Sequence, residues 1–317
     1  MIPVMLGVLI VVFTITYFTP GDPVRNIVGQ FATDEQYAAK AAQLGLDKPY
    51  LAQLGNYIWN IITKFDFGTS FESNLPIKIQ LMQRFPVSAE LGLLTVGFGL
   101  IFGIPLGLLV ATHQYQAADY VSTVLALIFA AIPGFVLSLL GLIIFAVRLR
   151  WLPVGGLGSF KSWILPVVTT GLPGIALMLR QTRTNMLEVI RQDYIRTARA
   201  KGLEESVIIR KHAFRNCMIP IVTVVGGQVA FTLSGSLITE NIFNIKGLGS
   251  YLYAGIVARD YPIINGCVLL IAFIVCVMNL LVDLSYTFID PRIKAEFIGK
   301  SKRLKKVKVN DTQGKVA

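Results

Sequence analysis

The chain has 317 residues, 54% of them hydrophobic and only 15% charged, with a mean hydropathy of +0.64. Soluble domains carry about 25% charged residues, so the composition excludes an ordinary soluble enzyme and points to a membrane protein. A net charge of +11 would suit a nucleic-acid binder if spread over a surface, but nine of the 29 Lys and Arg lie between Arg180 and Arg215 and nine between Arg292 and Lys315, which is a topology pattern.

Ile2 to Phe18 is a first apolar run, near the shortest length that crosses a hydrocarbon core roughly 30 Å thick. No basic n-region precedes it and no small-x-small site follows, so residues 1–19 read as a retained span and not a signal peptide. Residues 20–86 are mixed, with six basic and six acidic side chains. Within them Tyr50, Leu51, Leu54, Tyr57, Ile58, Ile61, Ile62 and Phe65 recur at spacings of three and four, which predicts an amphipathic helix with Asp47 as its N-cap.

Five more apolar zones follow, at about Val87–Thr112, Tyr120–Val147, Ile164–Leu179, Met218–Ile238 and Tyr261–Phe288. The expected architecture is an all-α polytopic membrane protein of six transmembrane helices, with the core at 87–290. An even count puts both termini on one side together with the loop 180–216, and the positive-inside rule makes that side cytoplasmic. The tail 291–317 is strongly basic and reads as a solvated topology signal, contact with anionic membrane lipid being the alternative.

The second zone carries Gly99, Gly103 and Gly107 on one helical face, with Pro105 between, a pattern of close helix packing. Pro133-Gly134 in the third zone and Pro166, Gly171 and Pro173-Gly174 in the fourth predict broken or kinked helices. Glu90, Glu240 and Asp283 fall near span ends and read as interfacial; no series of embedded charges marks a proton relay. Gln228, Thr232, Ser234, Ser236 and Thr239 form a polar side of the fifth zone, either lining a hydrated pathway or bonding between helices.

Metalloprotease, nucleophile-elbow and Walker A motifs are all missing, and His113 and His212 stand alone. No catalytic residue and no metal site is expected, and Cys217, Cys267 and Cys276 read as packing residues. The chain is not expected to be an enzyme.

The loop between the fourth and fifth zones has internal order. Arg191 to Lys201 are good helix formers and Gly202 sits where a C-terminal glycine belongs. Leu203 to Phe214 restarts a helix, with Glu204 and Glu205 at its positive end and Arg210, Lys211 and His212 at its negative end. Two short helices about a glycine hinge would make a rigid knob; a solvated topology loop is the alternative.

These residues carry a resemblance. The run Asp193-Tyr194-Ile195-Arg196-Thr197-Ala198-Arg199-Ala200-Lys201-Gly202-Leu203, followed by Arg210-Lys211-His212-Ala213-Phe214-Arg215-Asn216 and Ile219-Pro220, resembles the coupling motif of ABC-importer permeases. It is closest to the branch that serves dipeptides, oligopeptides and nickel. Pro20-Gly21-Asp22-Pro23, Leu44-Gly45-Leu46-Asp47-Lys48-Pro49, Phe67-Gly68-Thr69-Ser70, Glu240-Asn241-Ile242-Phe243, Gly247-Leu248-Gly249, Arg259-Asp260-Tyr261-Pro262 and Asp290-Pro291-Arg292 agree with it, over residues 3 to 293. The chain departs from the family at Lys246, where Pro is usual, and in beginning at Met1-Ile2-Pro3 without a basic stretch.

The resemblance implies a type I importer permease fold and a B-type subunit with a long external segment between the first two helices. It further implies four kinds of partner: a C-type permease, two ATPase subunits that bind ATP and Mg, an extracytoplasmic substrate-binding protein, and the lipid of a bacterial or archaeal inner membrane. No cofactor is expected in this chain and no nucleic acid partner. Asp193, Tyr194, Arg196, Thr197, Ala198, Ala200, Lys201, Gly202 and Leu203 would form the ATPase-coupling helix, with Ala198 and Ala200 small enough for close approach. Short peptides head the implied cargo, with nickel chelates and glutathione as alternatives within the family. A stand-alone channel and a membrane scaffold remain the readings outside it.

Overall fold

The computed structural model describes residues 1–29, 31–233 and 236–289, and among them every regular element is a helix. Ser234, Asp290 and the basic tail 291–317 lie outside the described residues. α1 (Ile2–Phe18) is apolar all round and exposes Ile2, Val11, Ile15 and Phe18, as befits a helix facing lipid. Its inner side is tied to the last helix, where the Thr16 hydroxyl donates to Asn265 Oδ1 at 3.2 Å.

The segment after α1 holds three helices, where periodicity predicts one. α2 (Pro23–Val28) is started by Asp22, whose carboxylate accepts from the Val24 and Arg25 amides, with Pro23 in the first turn. α3 (Asp34–Leu44) carries a reciprocal capping box between Thr33 and Gln36. α4 (Tyr50–Lys64) is the amphipathic helix expected. Its N-cap is Pro49, not Asp47 as the sequence reading has it; Gln53 reaches back to the Leu46 and Lys48 carbonyls instead. Tyr50 and Tyr57 lie against Phe13 of α1, with ring centroids 6.2 and 5.4 Å away, while Leu51, Trp59 and Ile62 stay exposed.

α5 (Ile77–Thr112) has 36 residues, about 54 Å at 1.5 Å per residue. It starts ten residues before the apolar zone at 87, because Ile77 and Leu81 are buried against Leu248, Tyr251 and Ile263. Hydropathy marks the part of a helix that meets lipid; this helix runs on because protein covers its first turns. α8 (Lys161–Ile190) likewise continues well past Leu179, with Thr182, Asn185 and Met186 buried.

The two long helices meet along the glycine face. A methyl group on Gly103 would lie 2.6 Å from Met178 Cβ, and one on Gly107 2.6 Å from Thr182 Cβ and 2.7 Å from the Leu179 carbonyl oxygen. Gly107→Ala is therefore expected to destabilise the bundle by about 1–3 kcal/mol through overpacking. Gly97→Ala, on the same helix with nothing within 4 Å of the new methyl, should leave the midpoint of thermal unfolding in detergent unchanged or slightly raised. Equal shifts for the two variants would contradict this packing.

The third zone is a bent pair of helices. α6 (Ala117–Ala131) and α7 (Gly134–Gly141), which runs on as a π-helix over Leu142–Arg148, meet at 95°. Pro133 has no amide to extend the ladder, and Ile132 before it is extended at ψ 123°. α6 is held to α8 by a bidentate pair in which Arg183 Nε and Nη2 donate to Asp119 at 2.8 and 2.9 Å, the carboxylate being 4% exposed.

After α8 come α9 (Asp193–Ala200), a single turn α10 (Glu205–Val207), a π-helical stretch Ile208–Ala213, and α11 (Phe214–Leu233). α11 bends by 49° at Pro220. α11 is described as far as Leu233, and Ile238, Thr239 and Glu240 belong to a short helix of their own, α12 (Leu237–Ile242). α13 (Leu248–Ala258) and α14 (Tyr261–Ile289) are the last of the described elements. By length and composition α5, α8 and α14 can each cross a membrane, and five spans result if each bent pair counts once. α1 is apolar but has 17 residues, so it would cross only where the bilayer thins slightly.

Candidate functional site

The knob between α8 and α11 is built on a helix with two unlike sides. Ile195 and Ala198, three residues apart on α9, are buried; Asp193, Tyr194, Arg196, Thr197, Arg199 and Ala200 are exposed. Ile195 and Ala198 join Ala111 at the end of α5, Met186 of α8, Ile208 and Ala213 of the π-stretch, and Cys217 and Ile221 of α11 in one apolar cluster. The knob therefore stands on the ends of three long helices, and its displacement must shift side chains in all of them. Ala198 spends its small size inward, on this packing, whereas Ala200 leaves the outer surface low.

Gly202 ends α9 as its position in the sequence predicts. Its φ is +75°, its amide donates to the Arg199 carbonyl at 2.9 Å, and the Leu203 amide donates to the Ala198 carbonyl at 3.4 Å. This paired pattern is the left-handed glycine termination of helices. Lys201, Gly202 and Leu203 consequently form an exposed rim beside the outer side of α9. Past the turn, the chain does not fold the separate helix Leu203–Phe214 that charge placement suggests. It passes through α10 and the π-stretch straight into α11, so the second arm of the knob is the root of a long helix.

Polar ties brace the two arms. Asn216 Nδ2 donates to Tyr194 Oη at 3.0 Å, and Arg199 grips Glu205 across the turn with contacts of 2.6 and 3.0 Å. The Arg199 and Glu205 side chains are 42% and 53% exposed, so solvent screens them. Glu205→Ala should change unfolding stability by less than about 1 kcal/mol, readable as a small shift in the thermal midpoint; a shift several times larger would mean that the pair is shielded.

The other end of α5 meets a different construction. Glu240, fully buried, accepts from Ser88 Oγ of α5 at 2.7 Å and from the Ser250 amide at 2.8 Å, while Ser88 Oγ accepts from the Leu248 amide at 2.7 Å. One carboxylate thus supplies acceptors to the first turn of α13 and pins it to α5. Nearby, Asp260 Oδ2 accepts from Ser70 Oγ at 2.6 Å, joining the loop before α5 to the start of α14. Glu240 reads as interfacial in the sequence, yet the structure makes it a central tie. The cue was an acid followed by Gly247-Leu248-Gly249, where the methyl of any larger residue at 247 would lie 2.5 Å from Glu240 and Ser88 oxygens. For Asp119 and Arg183, 64 residues apart, no sequence cue exists.

Of the five polar residues read as pathway candidates, two are committed within the chain. Thr232 is buried, its hydroxyl turned back to the Gln228 and Val229 carbonyls. Buried Thr239 accepts from Thr170 of α8 at 3.2 Å. Gln228 and Ser236 are partly exposed. Among the described residues no group of three His, Cys, Asp or Glu could hold a metal ion.

Residues 103–295 match the family described as binding-protein-dependent transport system inner membrane component. Residues 1–92 match the N-terminal family of the same membrane components. A dipeptide transport system permease protein of Alkalihalophilus pseudofirmus is 38% identical, covering 93% of this chain and 96% of its own length. A putative peptide transport system permease protein of Brucella abortus is 39% identical over 92% of this chain and 96% of its own. A glutathione transport system permease protein of Salmonella choleraesuis is 38% identical over 93% and 96%. Among solved structures, a chain of the MetNI methionine ABC transporter, in an inward-facing conformation, superposes with a TM-score of 0.58 at 18% identity, covering 67% of this chain and 97% of its own. That likeness establishes the fold.

Proposed function

This chain belongs to the family of binding-protein-dependent transport system inner membrane components, and from that premise we propose that it is the B-type permease subunit of an ATP-driven importer of short peptides. Full-length relatives named for dipeptides and peptides support the cargo. The glutathione permease relative favours a second reading, a glutathione-type tripeptide.

The observation that carries the mechanism is the two-sided α9. Its outer side and rim, with Asp193, Tyr194, Arg196, Thr197, Ala200, Lys201, Gly202 and Leu203, is the surface for a groove on one ATPase subunit. Its inner side, Ile195 and Ala198, is packed on α5, α8 and α11. ATP and Mg bind, and hydrolysis occurs, in that partner pair; closing it pushes α9, and the tight cluster passes the push on because dense packing deforms little. The bends at Pro133 and Pro220 let parts of the bundle turn separately, opening a path shared with a C-type permease first to one side and then to the other. Of the candidates among the described residues, Gln228 and Ser236 are the side chains left to line it.

In this reading six spans cross the inner membrane, α9 and both termini face the cytoplasm, and α2 to α4 lie outside, where a substrate-binding protein docks. The test is uptake of a radiolabelled dipeptide into proteoliposomes holding this chain, a C-type permease, both ATPases and the binding protein. ATP-dependent accumulation is expected. Flux through the purified chain alone without nucleotide, or failure of the ATPases to co-purify in mild detergent, would refute it in favour of a stand-alone channel.

A further inference from the structure

On the side of the bundle away from α9 there is an open cavity of about 730 Å³, walled by the second half of α1, by α2 to α4, by the loop 67–71 and by the start of α14. That volume lies in the roughly 300–1,000 Å³ range of small-molecule sites. Four stretches far apart in sequence meet in its wall: Gly21-Asp22-Pro23, Leu44-Gly45-Leu46 with Lys48, Phe67-Gly68-Thr69, and Tyr261-Pro262. The close fit of these stretches is real: a methyl group on Gly21 would collide with the Arg259 guanidinium that precedes the last of them.

The wall has a definite chemistry. Asn56, exposed, and Asn60, half-buried, lie one turn apart on α4 and both border the cavity, and neither side-chain amide has a hydrogen-bond partner among the described residues. Each offers a donor and an acceptor, as a peptide group does. Aromatic faces from Tyr57, Phe67 and Tyr261 border the same space, and the Tyr57 and Tyr261 hydroxyls are buried with no partner among the described residues. The charged side chains in the wall are one acid, Asp22, and one base, Lys48. Asp22 already caps α2 and pairs with Arg25 Nε at 3.8 Å, and its carboxylate raises the Tyr37 hydroxyl pKa above the ordinary tyrosine value by hydrogen bonding, burial adding to it, so it is spent within the chain. Lys48 is exposed and forms no ion pair among the described residues.

A lipid phosphate would call for a cluster of cations, and a purely apolar guest would strip water from Asn60 while leaving the buried Tyr57 and Tyr261 hydroxyls unpaired. Paired donors and acceptors, aromatic walls and the unpaired Lys48 ammonium match a small molecule with amide groups along it and a carboxylate at one end. We propose that this cavity binds a short free peptide, its carboxylate toward Lys48 and its backbone amides on Asn56 and Asn60, as a receiving site outside the translocation path. The assignment of cargo class rests on the peptide-importer reading above; the existence of the site does not.

The experiment uses the full chain assembled with its partner subunits in detergent, without binding protein, and measures binding of tri-alanine and of Ala-Phe-Ala by equilibrium dialysis. Saturable binding is expected, tighter for Ala-Phe-Ala. It should weaken at least about fivefold in Asn60→Leu and in Lys48→Glu, and for the N-acetylated, C-amidated peptide, a coupling of roughly 1 kcal/mol. Gly202→Pro, measured with the C-type permease alone, should bind peptide normally while losing uptake in the full assembly, so a failed importer reading and a failed site give different results. Absence of saturable binding, equal affinity for a neutral disaccharide, or unchanged affinity in both variants would overturn the proposal. So would a loss of binding-protein docking in Asn60→Leu with peptide affinity intact, since the guest would then be a protein loop.

Discussion

Gly202→Pro is expected to cut ATP-driven uptake by tenfold or more, about 1.4 kcal/mol or more of lost coupling, while the bundle stays folded. Proline holds φ near −65° and has no amide hydrogen; the native turn needs φ +75° and an amide that donates to the Arg199 carbonyl. Losing both undoes the termination of α9, so Lys201, Leu203 and the outer side of the helix leave the arrangement a partner groove would fit. The membrane-buried packing is untouched because Gly202 is exposed and its hydrogens face open space. Gly202→Ala isolates the conformational cost: its methyl meets nothing within 4 Å, so only the left-handed backbone is charged, at about 1–2 kcal/mol. The expected order of uptake is Gly, then Ala, then Pro, with thermal midpoints in detergent lowered by no more than in Gly107→Ala. Normal uptake and ATPase co-purification in the proline variant would rule out α9 as the coupling element.

The largest loss of stability is expected at Glu240. Glu240→Ala removes the acceptor for Ser88 Oγ and the Ser250 amide inside a site with no access to water. Each buried donor left unpaired costs about 1–3 kcal/mol, so the variant should lose about 3 kcal/mol or more and release α13 from α5. Glu240→Gln keeps one acceptor oxygen but turns an NH2 group toward a donor, and should fall between the two. Ser88→Ala in the alanine background should cost about 1–3 kcal/mol more, because it also orphans the buried Leu248 amide, which donates to Ser88 Oγ. Thermal unfolding in detergent and exchange of the Leu248 to Tyr251 amides would read this directly. A Glu240→Ala midpoint equal to the parent's would remove the carboxylate from any structural role.

The contrast between these sites bears on what a sequence can tell. The Gly202 termination was legible because it is local: helix formers, basic residues in the last turn and glycine after them describe a helix end without reference to anything distant. α4 was legible for the same reason, its periodicity giving Tyr50 to Phe65 against an observed Tyr50–Lys64. α2 and α3 had equally local signals in Asp22-Pro23 and in Thr33 with Gln36, which the weak apolar periodicity of those short helices obscured. The commitments of Thr232 and Thr239, and the burial of Ala198, depend on which helix lies opposite, and no spacing within the chain states that.

By itself, then, the sequence determined an all-helical membrane chain, the approximate place of each apolar zone, the knob with its glycine hinge, and through its motifs the family. Burial from water and local backbone preference act on neighbouring residues, so both leave their mark in order along the chain. Only the tertiary structure decided that α5 and α8 outrun their apolar zones, that the third zone bends by 95° at Pro133, and that Glu240 pins α13 while Asp119 grips Arg183. Those are contacts between residues brought together by packing, whose energy depends on a partner surface that one-dimensional order does not contain.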